Sequence, residues 1–281
     1  MKIGITGATG RLGLLVVAKL KEKVAAETIV ALVRTAEKAA NLGVEVRAFD
    51  YTKVDNQVAA LQGVDKLLLI SGSEIGQRFP QHRAVIEAAK QAGVKHIVYT
   101  SILHADSSPL SLSIEHLATE KALKASGLTY SILRNGWYTE NYTASVKASI
   151  GAGSVIGSAG DGKIASASRL DFAEAAAVVL AGEGHENKIY ELAGDDAYTL
   201  TELAAEISIQ CGKTILYNNL TEVQYAEMLI GFGLPEVVAK MLANSDTGAS
   251  KNALFDDSHT LSSLIGRATT PLAKVVSDAL A

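Results

Sequence analysis

A glycine-spaced turn, Gly7-Ala8-Thr9-Gly10-Arg11-Leu12-Gly13, stands between a β-branched run at residues 3–6 and a stretch of helical apolar spacing at residues 12–23. That context constrains the chain more than the pattern does, because 24 glycines make a chance GxxGxxG easy to find. Where a first strand feeds a first helix, each glycine has its own duty. Gly7 permits the tight turn, Gly10 lets backbone amides approach a pyrophosphate, and Gly13 lets the helix pack closely on the sheet. The helix N-terminus, with its unpaired amides and positive dipole end, then faces the anion. Thr9, Arg11 and Leu12 complete the loop and first turn, so residues 7–13 read as a dinucleotide cradle. A purely structural turn is the alternative.

The rest of the first half supports that context. Residues 3–6, 28–33, 44–49, 66–70, 96–100 and 129–133 read as strands. Residues 12–23, 36–42, 56–61, 80–92 and 116–126 repeat apolar positions at three- and four-residue spacing and read as helices. This βαβ repetition builds a parallel sheet with helices on both faces. Leu67-Leu68-Leu69-Ile70 is apolar without interruption, as a strand covered on both sides must be. The expected fold class is α/β, a Rossmann-type doubly wound parallel sheet over residues 1–135 with a smaller α/β C-terminal lobe over residues 136–281. After Asn135 come a glycine-rich irregular stretch at 151–162, an alanine-rich helix at 171–181 and a last strand at 188–192, so the chain is expected to return to the first domain around 171–194. Thr199-Leu200-Thr201-Glu202 and Thr221-Glu222-Val223-Gln224 both have the form of a capping box at a helix start.

Charge and cysteine usage exclude several classes. In 281 residues, 26 Lys and Arg against 30 Asp and Glu leave a net charge of −4, with no basic run, which argues against a nucleic-acid groove or an anionic membrane surface. No apolar run reaches the roughly 18–20 residues that span a bilayer, and the opening residues lack the apolar core of a signal peptide. Cys211 is the only cysteine, so neither an intramolecular disulfide nor a cysteine-based zinc site can form, and a buried, inert thiol is expected. These features point to a cytoplasmic protein and leave its oligomeric state open.

Cofactor choice is read at the tip of the second strand, where an acidic residue would hold the ribose of NAD. That tip is Val33-Arg34, with no carboxylate, and Lys38 follows one helical turn later. Arg34 and Lys38 suit the 2′-phosphate of NADPH, although a solvated surface arginine is the other reading. Asp50-Tyr51 and Ser71-Gly72-Ser73 end the third and fourth strands, and the carboxyl ends of such strands line the ligand crevice. The first pair is placed near the adenine and the second group near the nicotinamide ribose. Asp and Ser also start turns for local reasons.

Residues 7–13, Leu67-Leu68-Leu69-Ile70-Ser71, Tyr99-Thr100-Ser101-Ile102-Leu103-His104-Ala105-Asp106 and Leu133-Arg134-Asn135-Gly136-Trp137-Tyr138-Thr139-Glu140-Asn141-Tyr142 together resemble the NmrA-like atypical short-chain dehydrogenases. The likeness continues through Gly160-Asp161-Gly162-Lys163-Ile164-Ala165 and Leu254-Phe255-Asp256-Asp257-Ser258, so it covers nearly the whole chain. It implies NADPH-dependent, two-electron reduction of small quinones, with no requirement for flavin or metal. It adds Ser101 to the cofactor set and places Asn135, Gly136 and Trp137 at the nicotinamide and the substrate mouth. There the Asn135 amide meets the nicotinamide carboxamide, Gly136 leaves space, Trp137 offers a flat wall, and Asn141 lines the same side. Core packing is the alternative for Trp137 and Tyr138.

One departure is informative. Typical short-chain dehydrogenases protonate their substrate from a Tyr-x-x-x-Lys pair, and counting back from Ser126-Gly127 puts Leu112 and His116 at those positions. Lys121 falls off that register and reads as a solvated side chain. A quinone tolerates the loss, since a hydride converts it to a resonance-stabilised hydroquinone anion that water can protonate. His104 and Tyr138 are possible hydrogen-bond donors to that anion, with a packing role open for His104. Gln77-Arg78-Phe79-Pro80-Gln81-His82 is either a segment closing over the cofactor or the lead-in to a helix. Two rival functions remain: an NADP(H)-binding redox sensor without catalysis, and an epimerase or reductase of nucleotide-linked sugars.

Overall fold

A computed structural model describes residues 1–281. The first half runs β1 (Ile3–Thr6), α1 (Arg11–Lys21), β2 (Ile29–Val33), β3 (Glu45–Ala48), α2 (Gln57–Leu61), β4 (Lys66–Leu69), α3 (Arg78–Ala92), β5 (His96–Ile102), α4 (Ser113–Ala125) and β6 (Thr129–Asn135). There follow α5 (Glu140–Thr143), α6 (Val146–Ala152), β7 (Ser154–Gly157), α7 (Arg169–Ala181) and β8 (Lys188–Leu192). The remainder is α8 (Leu200–Cys211), β9 (Leu216–Asn219), α9 (Glu222–Gly231), α10 (Glu236–Ala249), α11 (Thr260–Ile265) and α12 (Leu272–Leu280). No helix is long and apolar enough to cross a membrane.

Seven strands form one sheet in the order β3-β2-β1-β4-β5-β6-β8. From β3 through β6 every neighbouring pair is parallel. This is the Rossmann-type arrangement, and the strand order reverses between β1 and β4. Val30, Leu32, Leu67, Leu69, Ile97, Tyr99 and Ile132 share one core cluster with Leu61 of α2, Val85 and Ile86 of α3 and Leu123 of α4. Residues alternating with them, such as Ile5, Ala31, Leu68 and Val98, are also fully buried. They point to the opposite face, where α1 and α7 pack on each other. Burial on both faces explains why these strands lack polar alternation.

The chain divides into two compact units. The first comprises residues 1–105, 114–135 and 169–190, and the second residues 106–113, 136–168 and 191–281. In the second unit β7 and β9 make a two-stranded parallel sheet, Ser154 opposite Leu216 through Gly157 opposite Asn219. Both expected capping boxes form, with Thr199 and Glu202 and with Thr221 and Gln224 exchanging side-chain-to-backbone bonds.

Several sequence expectations need correction. Strands five and six run two residues further, to Ile102 and Asn135, because they pair with each other in unbroken register to that point. Residues Ala36–Leu42 form a 3₁₀ helix, closed by Gly43 in the left-handed region, instead of an α-helix. The stretch 151–162 is not irregular throughout, since it holds the end of α6 and all of β7. Residues 188–192 are not the last strand, because β9 follows. Cys211, in the last turn of α8, is half-buried instead of buried.

Asp246 on α10 is buried with no cation paired to it. Its Oδ1 accepts from Tyr142 Oη at 2.9 Å and its Oδ2 from the Ser158 amide at 3.1 Å. Burial outweighs both bonds and pushes its pKa up to about 6. The folded chain therefore binds this proton more tightly than the unfolded chain does. The resulting stabilisation is complete below about pH 4 and is lost as pH rises through about 6. Asp246→Asn can still accept the Ser158 amide at its oxygen and donate from its nitrogen to Tyr142 Oη, reversing that bond, and it removes the charge. Thermal melts should show the variant more stable than the parent at pH 8, by about 2–3 kcal/mol, and equal to it at pH 4; a pH-independent difference would refute this account.

Candidate active site

The cradle is built at the β1–α1 junction. Gly7 has a φ of 59°, a left-handed turn that a side chain would strain, and the Gly10 amide closes onto the Gly7 carbonyl at 2.8 Å. A Cβ on Gly13 would lie 2.2 Å from the Gly7 oxygen and 2.8 Å from Ala8 Cα, so only glycine lets α1 start so close to the loop. No side chain caps the α1 N-terminus, and its first turn contains no acidic residue. Gly7, Gly10 and Arg11 are exposed, Thr9 is half-buried, and Leu12 and Gly13 are buried. An anionic group fits this open, positive helix end.

At the tip of β2, Arg34 and Lys38 are both exposed, Lys38 within the 3₁₀ segment. Asp50 folds into a local turn, accepting from the Thr52 amide at 2.9 Å and from Thr52 Oγ1 at 2.8 Å. The Thr52 amide chiefly, and the nearby Arg34 cation to a smaller degree, hold Asp50 below the usual carboxylate range. The acid that sequence assigned to the adenine end thus has a turn-forming job and lies in the field of Arg34.

The tip of β4 is bound almost entirely by side chains. Its three successive amides donate to different elements: Ile70 to Thr6 Oγ1 at 2.9 Å, Ser71 to Thr100 Oγ1 at 2.9 Å, and Gly72 to His82 Nε2 at 2.9 Å. Thr6 Oγ1 itself donates to the Leu68 carbonyl at 3.0 Å. Tyr51 Oη lies 2.6 Å from both Thr6 Oγ1 and the Ile70 carbonyl, so its hydroxyl is used inside the fold. Burial keeps it protonated well above its ordinary pKa. The segment 77–82 is the lead-in to α3 instead of a closing flap: Gln77 is the N-cap, and Arg78, Gln81 and His82 are buried.

At the tips of β5 and β6, Ser101 Oγ donates to Glu120 Oε1 at 2.6 Å, in the network where Arg134 Nε and Nη2 meet the same carboxylate at 2.9 and 2.8 Å. The Ser101 hydroxyl therefore sits on the α4 side of the sheet, in a structural ion-pair cluster. His104, just past β5, has a φ of 52°, an uncommon state for a residue with a side chain. Asn135 is 5% exposed, and its Oδ1 is a buried acceptor with no partner in the chain. On α4, His116 Nδ1 lies 2.8 Å from Tyr99 Oη, and burial lowers its pKa well below 6.5, so the ring is neutral and cannot replace a lysine. Leu112 precedes the helix and Lys121 is exposed on it.

Gly136, Trp137, Tyr138 and Asn141 belong to the second unit. The Gly136 amide donates to the Leu192 carbonyl at 2.7 Å, and a Cβ there would lie 3.0 Å from that oxygen. The space that sequence reserved for substrate at Gly136 is taken by backbone. Trp137 is 8% exposed, and its indole N–H is buried without an acceptor. Tyr138 makes a parallel bridge to Ala167, and the Asn141 amide bonds the Tyr138 carbonyl at 2.9 Å.

A doubly wound sheet whose first βα junction is a glycine cradle opening on a bare helix end defines a nucleotide-cofactor-binding protein. The chain belongs to the family described as NAD(P)H-binding, which it matches over residues 7–183. It is 59% identical over 278 residues to quinone oxidoreductase 2 of Escherichia coli, covering 98% of this chain and 97% of the relative. A crystal structure of the E. coli NADPH-dependent quinone oxidoreductase in complex with NADPH superposes with a TM-score of 0.97 at 58% identity, covering 99% of this chain and 100% of the other. The Citrobacter triphenylmethane reductase complexed with NADP(H) gives a TM-score of 0.95 at 39% identity, covering 99% and 100%.

Sequence reasoning missed Thr6, Thr100 and His82. The first two lie in strands and look like core positions, and His82, in the second turn of α3, was named only as part of the segment 77–82, without this role. Only the register, which places each beside an unpaired amide, reveals their use. For the cradle, Gly13→Ala is expected to lower stability by about 1–3 kcal/mol through forced backbone displacement and to weaken NADPH binding at least tenfold. Urea unfolding and calorimetry check it, and a variant matching the parent in both would remove the close approach from the argument.

Proposed function

We propose that the chain is an NADPH-dependent reductase that passes two electrons directly to small quinones. The observation that carries this reading is the full-length likeness to a quinone oxidoreductase solved with NADPH, on a chain whose own cradle and cationic β2 tip suit that cofactor. When bound, NADPH supplies a hydride to the acceptor ring.

The chain's own residues hold and orient. The open end of α1 with Gly7, Thr9, Gly10, Arg11, Leu12 and Gly13 receives the pyrophosphate. Arg34 and Lys38 meet the 2′-phosphate, and the turn of Asp50 helps to aim Arg34. The Asn135 Oδ1 is suited to the nicotinamide amide, which brings a donor to a buried acceptor that has none in the chain. Trp137 supplies an aromatic wall, and Asn141 a polar edge, to the quinone. His104 and Tyr138 offer hydrogen bonds to the oxygen that gains charge. No acid occupies the Tyr-x-x-x-Lys register, so water is the source of the second hydrogen. A cytoplasmic setting, where NADPH is regenerated, fits the same reading.

A binding sensor without catalysis is not favoured, because each of the full-length relatives above is named as an oxidoreductase or a reductase. Steady oxidation of NADPH on addition of a benzoquinone tests the choice. Intact NADPH binding with no turnover would return the sensor reading. Arg34→Ala is expected to raise the KM for NADPH about ten- to a hundredfold, the worth of a charge-assisted contact of about 1.5–3 kcal/mol, and to leave that for NADH nearly unchanged. Equal KM values for NADPH in variant and parent would assign the phosphate to other residues.

A further inference from the structure

Gly72 is gripped at both of its backbone polar atoms by side chains from the first two turns of α3. Its amide donates to His82 Nε2 at 2.9 Å, and its carbonyl accepts from Arg78 Nε at 2.8 Å. Surface loops ordinarily give such groups to water. Here the receiving side chains are buried, His82 completely.

The proton on the His82 ring is placed from two directions. Nε2 accepts the Gly72 amide, so it carries no hydrogen. On the far side Nδ1 lies 3.2 Å from Thr119 Oγ1, whose own hydrogen goes to the Glu115 carbonyl at 2.8 Å, leaving the threonine oxygen as the acceptor. Both ends require the Nδ1–H neutral tautomer. Burial, reinforced by the Arg78 cation, lowers the ring's pKa to about 3, so it stays in that form at any working pH. Tyr51 and Tyr99 pack edge-on at 6.0 and 5.5 Å and fix the ring plane.

The same segment is held at a second point. Glu115 on α4 accepts from the Gly76 amide at 3.1 Å, the Phe79 amide at 3.2 Å and Arg78 Nη1 at 3.2 Å. Side chains of α3 and α4 thus tie the β4–α3 connection at several points. We propose that His82 is a positioning residue for the cofactor: by accepting the Gly72 amide it presets the β4 tip on which the nicotinamide half of NADPH is read to lie. This rests on the NADPH reading above and deepens it.

Preorganisation of this kind appears in affinity, since a loop that must be ordered on binding lowers the observed constant. His82→Phe keeps ring and volume but removes the acceptor. Its Kd for NADPH is expected to rise about tenfold, with kcat at saturating NADPH and the KM for quinone within a factor of two to three. His82→Gln, whose side-chain oxygen can reach the same amide, should recover most of the affinity. Hydrogen exchange read by NMR without ligand gives a second measure, because the Gly72 amide should be protected in the parent and in His82→Gln and exchange at least tenfold faster in His82→Phe. If the parent binds NADPH and a folded His82→Phe binds it equally, the inference is overturned while the cofactor reading stands. If the parent takes up no NADPH, that earlier reading is the one that fails. A His82→Phe chain that does not fold shifts the decision to the exchange of Gly72 in His82→Gln, where lost protection would refute the proposed acceptor.

Discussion

Between β1 and β4 the parallel ladder ends at Ile5 and Leu68, and one threonine hydroxyl takes over where the backbones part. Thr6 Oγ1 receives the Ile70 amide and donates to the Leu68 carbonyl, doing with one side chain what the next backbone residue would have done. This is the point at which the strand order reverses, and the crevice of a doubly wound sheet opens there because neighbouring connections leave in opposite directions. Opening it exposes backbone donors and acceptors to a largely apolar surrounding, where each unpaired group costs about 1–3 kcal/mol. Thr6, Tyr51, Thr100 and His82 remove that cost without filling the crevice. Thr6 and Tyr51 bridge the tips of β1 and β4, while Thr100 from β5 and His82 from α3 hold the β4 tip from its other sides.

A second constraint lies on α4. Glu120 is 0% exposed, and Arg134 meets it with two nitrogens while Ser101 occupies one of its oxygens. A buried pair of this sort gains little net stability over apolar residues of equal volume, but removing one partner leaves an uncompensated charge that costs about 3–5 kcal/mol. Arg78 and Glu115, one turn earlier on α4, repeat the arrangement with more access to water. The two pairs lock the helix in register with β5, β6 and α3. The exposed pairs elsewhere, such as Lys240 with Glu236, lie in solvent and carry no comparable constraint.

The fold was legible because its signals are local. Strand, glycine turn and helix follow one another at residues 3–21, and the apolar run of β4 can be satisfied only by burial on both faces. The two capping boxes were legible for the same reason, each being complete within four residues. Ser101 and Gly136 were placed by family likeness, which conveys position along the chain but not the partner: Glu120 and the Leu192 carbonyl claim them from 19 and 56 residues away. β7 went unseen because four residues inside a glycine-rich stretch carry no periodicity, and its pairing with β9 is set by contacts 62 residues apart. Arg34 was singled out by a missing acid at a known place, whereas the turn of Asp50 that shares its field shows only in the fold.

The chemistry open to the protein follows from what α4 has already been given to do. In dehydrogenases that reduce ketones this helix presents a tyrosine and a lysine to the substrate. Here four polar residues within six positions, Glu115, His116, Thr119 and Glu120, are consumed in holding the sheet and the β4–α3 connection together. His116, at the lysine register, is neutral and bonded to Tyr99, so it cannot lower the pKa of a neighbouring phenol as a cation would. At that register the site receives neither a phenol nor a cation from the helix to protonate an alkoxide. It suits an acceptor whose reduced form is a stable anion, and a quinone meets that condition through delocalisation of charge over its ring. The loss of an acid from α4 and the choice of an electron-poor ring are thus one physical fact, seen first from the protein and then from the substrate.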